Sequence, residues 1–312
     1  MSLYLRLSVT DRCNFFCRYC RPPTPERQQQ RPNLASNEIL TLVDRIHRIV
    51  PLRKIRLTGG DPLMRPRLPG LVSALRAHLP DAELCLTTNG SRLAGSAMAL
   101  REAGLDRINV SLDSLSPTRF AAITGVDRLD RVLQGIDAIR EAGFPKRKLN
   151  AVLLRSGNGS DLPRMVRYAA TRGAELRLIE LMPMGIARRI FDQEYLPAGE
   201  AMATLKADFR YLGPTSRSDT SQRHRFEVDG GEITVGLITP ISEPFCAQCD
   251  RIRLDSRGRL LSCLRRQSGA DLLTLLRADR LETLDRQVVA LLQSKGLPTA
   301  SWPRRQMALI GG

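Results

Sequence analysis

The chain has 312 residues, 42% of them hydrophobic, and this length allows one large domain or a domain of about 200 residues beside a smaller one. No apolar run approaches the ~20 residues that span a bilayer, and the first residues, "MSLYLRLSV", lack the features of a signal peptide. The composition thus argues against a membrane-spanning or secreted protein. We expect a cytoplasmic protein with no membrane partner.

Basic residues outnumber acidic ones, 48 Lys and Arg against 32 Asp and Glu, which gives a net charge of +16. Such a charge suits a nucleic-acid partner, because Lys and Arg neutralise phosphates. The arginines are spread along the whole chain, however, and aromatic residues, which stack on bases, make up only 4%. The pattern therefore argues against nucleic acid and leaves an anionic small molecule or an arginine-rich proteome as explanations.

Six short apolar or β-branched runs alternate with helical stretches in the first 180 residues. The predicted strands are Tyr4–Val9, Lys54–Thr58, Glu83–Thr87, Arg107–Ser111, Leu149–Leu154 and Glu175–Ile179. Strands that alternate with helices predict a parallel sheet in an α/β fold, and six such units predict a partial (β/α)6 barrel of the TIM type. A doubly wound open sheet is the alternative.

Polar segments at the ends of these strands favour the barrel. "TDRC" follows the first strand, "TGGDP" the second, "TTNG" the third and "ELMPMG" the sixth, and "SLD" ends the fourth. All of them would meet at the carboxyl-terminal face, where barrels build their active sites.

The pattern changes after about residue 181. "PAGEAMATLKADF" predicts a helix, "FEVDGGEITVGLI" a hairpin that turns at Gly230-Gly231, and "RIRLDSRGRLLSCL" a second turn at residues 256–258. We place a domain boundary near residue 215, so that residues 1–215 form the barrel and residues 216–312 a C-terminal α+β domain.

Seven cysteines without a signal peptide argue against disulfides, because cytosolic thiols are kept reduced. Two sets of three stand out, Cys13, Cys17 and Cys20 in the first and Cys246, Cys249 and Cys263 in the second. Cys85 stands alone in the apolar run "AELCLTT" and is interpreted as a small buried side chain.

The first set could lie on one helix face, but "TDRCN" follows a strand and is a poor helix start. A zinc site needs a fourth ligand, and none of His47, His78 and His224 has ligand spacing with either set. A 4Fe-4S cluster takes one ligand per iron, so three cysteines leave one iron open to a substrate or cofactor.

Cys-x3-Cys-x2-Cys, with Tyr19 before the last cysteine, resembles the signature of radical S-adenosylmethionine (SAM) enzymes. "TGGDP" resembles their Gly-Gly-Glu-Pro segment, with Asp61 where Glu is usual. The second set, "FCAQCDRIRLDSRGRLLSCL", resembles the GTP 3',8-cyclase family of molybdenum cofactor biosynthesis, as do the opening "YLRLSVTDRCNFFCRYC" and the closing "IGG". Arg21, where Met is common, is a departure.

The resemblance implies a radical SAM barrel with a second 4Fe-4S cluster in the C-terminal domain. The first cluster and SAM would remove the 3' hydrogen of the GTP ribose. Attack of the ribose on carbon 8 of guanine, with reduction and protonation, would then give 3',8-cyclo-7,8-dihydro-GTP, a lyase-type reaction. The second cluster would bind the purine.

The resemblance also assigns residues by motif position. Each cysteine set would hold one cluster. The implied SAM contacts are Tyr19, Gly59, Gly60, Asp61, Ser111 and Met182. The implied GTP contacts are Arg6, Arg56, Thr87, Lys148, Arg177, Arg251, Ile252 and Arg253. The implied catalytic residues are Arg6, Arg251, Arg253 and the terminal Gly311 and Gly312, whose lack of side chains would let them enter a narrow pocket.

The implied partners are a reductant such as flavodoxin or ferredoxin, a second copy of the chain in a homodimer, and cyclic pyranopterin monophosphate synthase, which takes up the product. Two other functions stay open. One is a radical SAM enzyme that acts on tRNA or a peptide, and the other is a zinc-stabilised binding module without catalysis.

Overall fold

A twelve-stranded sheet organises the computed structural model, which describes residues 2–21, 33–215, 221–266, 268–295, 302–303 and 307. Its strands are β1 (Leu3–Ser8), β2 (Leu52–Thr58), β3 (Glu83–Thr88), β4 (Arg107–Ser111), β5 (Arg147–Leu153), β6 (Glu175–Glu180), β7 (Arg210–Pro214), β8 (Gln222–Val228), β9 (Gly231–Ile238), β10 (Arg251–Leu254), β11 (Arg259–Leu261) and β12 (Ala270–Asp271).

The helices lie mainly between the parallel strands and after the last one. They are α1 (Ser36–Ile49), α2 (Leu68–His78), α3 (Ala97–Glu102), α4 (Pro117–Thr124), α5 (Leu129–Glu141), α6 (Leu162–Thr171), α7 (Phe191–Glu194), α8 (Ala198–Asp208), α9 (Leu272–Arg277) and α10 (Leu281–Gln293). Within the described ranges, no helix is long and apolar enough to cross a membrane.

Strands β1 to β6 are neighbours in chain order and all pair in parallel. Each lies within two residues of its predicted bounds. The sheet is not closed, since β1 and β6 are not hydrogen-bonded to each other. This arrangement confirms the partial six-stranded barrel.

The segment after residue 215 continues the same sheet at both edges. β9 pairs in parallel with β6, and β10 pairs in parallel with β1. The β8–β9 hairpin turns at Asp229 and Gly230, both at positive φ (49° and 79°), which is the geometry of a type I′ turn. The turn therefore starts one residue before the predicted Gly230-Gly231. The division into two domains at residue 215 stays a prediction.

The parallel strands alternate apolar and polar side chains, as "LYLRLS" of β1 illustrates. Leu5 and Leu7 are fully buried and join one hydrophobic core with Ile39 and Leu42 of α1. Arg6 lies between them in sequence and therefore points to the opposite face, because successive side chains alternate across a strand. The apolar face thus binds the helices and leaves a polar inner face for a ligand.

Candidate active site

The inner face of the sheet bounds a cavity of about 610 Å³, a size typical of ligand sites. All six cysteines of the two sets line it: Cys13, Cys17, Cys20, Cys246, Cys249 and Cys263. The first set follows β1, while the second set lies before β10 and after β11. The structure therefore brings both predicted metal sites to one chamber.

Two glycines fix the first cysteine loop against the end of β2. The Gly60 N–H donates to Thr10 O at 2.9 Å, and the Asp61 N–H donates to Arg12 O at 2.7 Å. A Cβ atom on Gly60 would lie 2.3 Å from Arg12 O, and one on Gly59 would lie 2.3 Å from Thr10 O. These positions need glycine because the two backbones approach too closely for any side chain.

Asp61 joins the carboxyl ends of β2 and β3. Its Oδ2 accepts hydrogen bonds from Thr88 Oγ1 (2.7 Å) and the Asn89 N–H (2.6 Å), and its Oδ1 accepts from the Leu63 N–H (2.9 Å). Burial raises the pKa of this carboxyl. Asn89 in turn donates to Asn14 at 2.8 Å, so Asp61 helps to order the cysteine loop.

Tyr19 ties the same loop to the ends of β4 and β5. Its hydroxyl donates to Asp113 Oδ2 at 2.6 Å, and Asp113 Oδ1 accepts from the Val152 N–H at 2.9 Å. Burial raises the pKa of Asp113 to about 6. All the predicted SAM contacts, Tyr19, Gly59, Gly60, Asp61, Ser111 and Met182, line the cavity.

The thiols of both sets fit iron-sulfur clusters. Burial raises the pKa of Cys13 to about 11 and that of Cys17 well above its usual value, so thiolates there need a cation such as iron. Cys13 Sγ accepts the Phe15 N–H and Cys263 Sγ accepts the Arg265 N–H, both at 3.4 Å, and such bonds tune iron-sulfur centres.

A single metal ion fits less well. No three His, Cys, Asp or Glu side chains in the described ranges come close enough together to hold one ion. A 4Fe-4S cluster instead takes one thiolate at each of three irons, which keeps its ligands apart. The spacing of the two cysteine sets is therefore compatible with clusters.

Arginines from neighbouring strands form one wall of the cavity. Arg6 is in register with Arg56 on one side and with Arg253 on the other. Burial and the charges of Arg56 and Arg251 lower the pKa of Arg6 to about 10. The cationic residues lining the cavity are Arg6, Lys54, Arg56, Arg177, Arg251, Arg253, Arg265, Arg266 and Lys295, against the carboxylates Asp61, Asp113 and Glu180. This excess of guanidinium groups favours a polyanion.

Lys148 does not line the cavity, although the resemblance places it among the GTP contacts. Its Nζ lies 2.7 Å from Glu175 Oε2, and Glu175 also accepts hydrogen bonds from Arg177 and Arg223, each at 2.7 Å. Burial acts to raise the pKa of Glu175, but Arg177 and Lys148 outweigh it and lower the pKa to about 2. This ion-pair group closes the amino end of the inner face at β5 and β6.

The other predicted GTP contacts divide by strand face. Arg6, Arg56, Thr87, Arg177, Arg251 and Arg253 line the cavity. The Ile252 side chain does not, because it alternates to the opposite face and is fully buried in the core. Gly311 and Gly312 lie outside the described residues.

Several residues that line the cavity were not predicted from the sequence. Thr58 Oγ1, Asn109 Oδ1 and Asn150 Oδ1 are buried without a hydrogen-bond partner, and all three residues line the cavity. The two amide oxygens can accept a hydrogen bond from a ligand, and the hydroxyl can accept or donate one. Alternation could have found them, since Asn109 is two residues before Ser111 and Ser111 is in register with Asn150.

Comparison with known proteins agrees with this geometry. Residues 7–169 match the Radical SAM superfamily, and residues 174–299 match the family described as Molybdenum Cofactor Synthesis C. The chain is therefore a radical SAM protein, an enzyme class that uses a 4Fe-4S cluster and SAM.

GTP 3',8-cyclase 1 of Pseudomonas aeruginosa is 42% identical over 88% of this chain and 83% of its own. GTP 3',8-cyclase of Streptomyces coelicolor is 37% identical over 99% of this chain and 93% of its own. The chain belongs to the GTP 3',8-cyclase family, which confirms the resemblance seen in the sequence.

Among solved structures, SuiB of Streptococcus suis bound to precursor peptide SuiA is similar with a TM-score of 0.63. Its identity is 14%, and the match covers 91% of this chain but 66% of that chain, just under two thirds of its length. At this identity the likeness shows the fold alone, and it confirms the radical SAM barrel.

Proposed function

We propose that this protein converts GTP into (8S)-3',8-cyclo-7,8-dihydroguanosine 5'-triphosphate, the first step of molybdenum cofactor biosynthesis. The main support is that a single cavity contains both cysteine sets and the arginine wall. Its closely related family members carry the name GTP 3',8-cyclase. GTP is a polyanion with a ribose and a purine, so it matches the excess of cationic side chains in the cavity.

In this proposal the first cysteine set holds one 4Fe-4S cluster, and Tyr19, Gly60, Ser111 and Met182 contact SAM beside it. Cys246, Cys249 and Cys263 hold a second cluster. Three thiolates at each site leave one iron for a ligand that is not a protein residue. When bound, a 4Fe-4S cluster with SAM supplies the one-electron chemistry that starts hydrogen abstraction from the substrate.

The arginine wall would bind and orient the GTP triphosphate. Like charges that are buried together raise the energy of the empty site, as the lowered pKa of Arg6 reflects. A polyanion removes this cost, and the fork geometry of guanidinium groups fixes the position of the phosphates. Arg251 and Arg253 lie two and four residues after Cys249. They would therefore place the guanine next to the second cluster.

The terminal Gly311 and Gly312 are proposed to complete the pocket. Met307 lines the cavity, and the five residues after it can reach at most about 18 Å. Chain length therefore keeps the two glycines within about 18 Å of Met307. The proposal also includes flavodoxin or ferredoxin as reductant, a homodimer, a cytoplasmic location, and transfer of the product to cyclic pyranopterin monophosphate synthase.

An anaerobic assay tests the function directly. We expect SAM cleavage and formation of the cyclic product to depend on GTP. ATP is the control, because it carries the same triphosphate without guanine, and it should give no cyclic product. Cleavage that depends on tRNA or on a peptide would refute the proposal.

Metal analysis tests the two clusters separately from the reaction. Two 4Fe-4S clusters require about eight irons and about eight acid-labile sulfides per chain. Stoichiometric zinc without sulfide would instead support a binding module.

A further inference from the structure

Trp302 is the only tryptophan of the chain and lines the cavity. Its carbonyl accepts a hydrogen bond from Arg188 Nη1 at 3.2 Å, and the Pro303 carbonyl accepts one from the Gly185 N–H at 3.3 Å. Two consecutive carbonyls therefore hold Trp302 to the turn Gly185–Arg189, which follows β6.

The indole ring contacts the second cysteine set. The guanidinium carbon of Arg265 lies 4.6 Å from the centroid of the Trp302 ring, a cation–π contact. The backbone N–H of Arg265 donates to Cys263 Sγ at 3.4 Å. The residue that stacks on Trp302 thus also orients a thiol of the proposed second cluster.

An apolar cluster joins the same two segments. Met184 and Leu261 are buried against each other, and Met182, Leu264, Trp302 and Met307 pack around them. Met182 and Met184 follow β6, whereas Leu261 and Leu264 flank Cys263. Trp302 packs where the two walls of the cavity meet.

We propose that Trp302 is a positioning residue that fixes the Cys263 segment relative to the Met182 segment. This role rests on the proposed function, in which the Met182 segment contacts SAM and the Cys263 segment holds the second cluster with GTP. Reacting atoms must approach to about 3–3.5 Å, and a shift of about 1 Å can slow a reaction 100-fold. Trp302 itself touches no reacting atom in this proposal.

The first test measures coupling, the number of cyclic products formed per SAM cleaved. It uses Trp302→Ala and Trp302→Phe in the full-length protein carrying its clusters. In Trp302→Ala we expect at least threefold fewer cyclic products per SAM cleaved, while SAM cleavage changes by less than twofold. Trp302→Phe keeps an aromatic face and should restore most of the coupling. A Trp302→Ala variant with the wild-type ratio would overturn the proposal.

Hydrogen exchange and fluorescence provide a test that needs no turnover. In Trp302→Ala, the amides of residues 185–189 and 264–266 should exchange at least threefold faster. Arg265→Gln should make Trp302 at least twofold more accessible to acrylamide. Arg210→Gln is the matched control, because that arginine is exposed on β7, where it pairs with Glu227, and it should change neither value.

The two measurements separate the possible failures. If the wild type does not cyclise GTP but exchange and quenching change as expected, the proposed function fails and the contact role of Trp302 holds. If the wild type cyclises GTP and the variants alter neither exchange nor coupling, only the role of Trp302 is refuted.

Discussion

The two cysteine sets lie in one cavity but differ in the charges around them. Burial and Asp61 raise the pKa of Cys13, and Asp113 lies beside Cys17. At Cys249 burial also acts to raise the pKa, but the charge of Arg251 and its hydrogen bonds lower it. The first set thus has two carboxylates beside it, together with the cation Arg21, whereas cations dominate beside the second.

This difference matches the charges of the two proposed ligands. SAM carries a positive sulfonium, which carboxylates stabilise, and GTP carries a negative triphosphate, which arginines stabilise. Lys295 strengthens the contrast, because its Nζ donates to Arg251 O at 2.7 Å beside the second set. One three-cysteine arrangement can therefore serve two ligands of opposite charge when its surroundings differ.

Loss of a second-set thiol should give the largest effect. In Cys249→Ala we expect iron to fall from about eight to about four per chain and GTP cyclisation to disappear, because the second cluster loses one of three ligands. Iron and sulfide analysis with product assays would measure this. Cys85→Ala is the control, since Cys85 is buried outside both sets, and it should keep all its iron. Persisting cyclisation in Cys249→Ala would refute the second site.

Loss of the Glu175 carboxylate, which pairs with Arg177 of the cavity, should give the second-largest effect. Glu175→Gln leaves Lys148, Arg177 and Arg223 without their shared carboxylate, and we expect the free energy of unfolding to fall by about 3–5 kcal/mol. The measurement is denaturant unfolding at pH 7. Glu200→Gln removes an exposed partner of Arg155 and should leave the free energy of unfolding almost unchanged.

The same carboxylate predicts a pH dependence. Its folded pKa of about 2 lies below the ordinary glutamate pKa of 4.5, so its stabilisation is complete above pH 4.5 and is lost as the pH falls toward 2. The wild type should lose stability over this interval more steeply than Glu175→Gln. Parallel slopes would mean that Glu175 is not selectively stabilised in the folded protein.

A change in the arginine wall should separate the two ligands. We expect Arg6→Gln to weaken GTP binding about tenfold or more, since hydrogen bonds to charged groups contribute about 1.5–3 kcal/mol. The dissociation constant for SAM should change by less than twofold, because Arg6 lies on the arginine wall. Calorimetric titration with each ligand measures both values. An equal loss for both would contradict the division of the cavity by charge.

The smallest effect is expected at the first loop. Gly60→Ala puts a Cβ atom 2.3 Å from Arg12 O, and the resulting backbone shift should cost about 1–3 kcal/mol and weaken SAM binding. In Gly70→Ala, in helix α2, the added Cβ atom has no neighbouring part of the chain within 4 Å. This change should instead stabilise the protein by about 0.5–1 kcal/mol. Thermal unfolding of both variants tests the pair, and similar values would show that the close approach is not needed.

Local patterns in the sequence were enough to predict the six central strands and both cysteine sets. Alternation explains why Arg6 and Arg56 line the cavity whereas the Ile252 side chain lies in the core. The GTP contact implied for Ile252 stays a prediction. The pairing of Lys148 with Glu175 joins residues 27 apart, and no local pattern reveals which of several cations reaches that carboxylate.

Strand neighbours far apart in sequence were equally hidden. The hairpin near residue 230 was predicted, but not that β9 would continue the sheet beside β6, nor that β10 would do so beside β1. Propensity identifies a strand, whereas its partner depends on the packing of the whole chain. The inner-face asparagines were missed for a different reason, because no family motif pointed to them.

The pairing of β1 with β10 has a consequence for synthesis. β1 is made before β10, and residues 251–254, which pair with β1, leave the ribosome about 250 residues later. At ~5–20 residues per second this interval lasts roughly 12–50 s. Unpaired strand edges are templates for aggregation, and during this long period the nascent barrel lacks the β10 partner of its β1 edge. The segment that supplies β10 as the partner of β1 therefore also carries the second cysteine set.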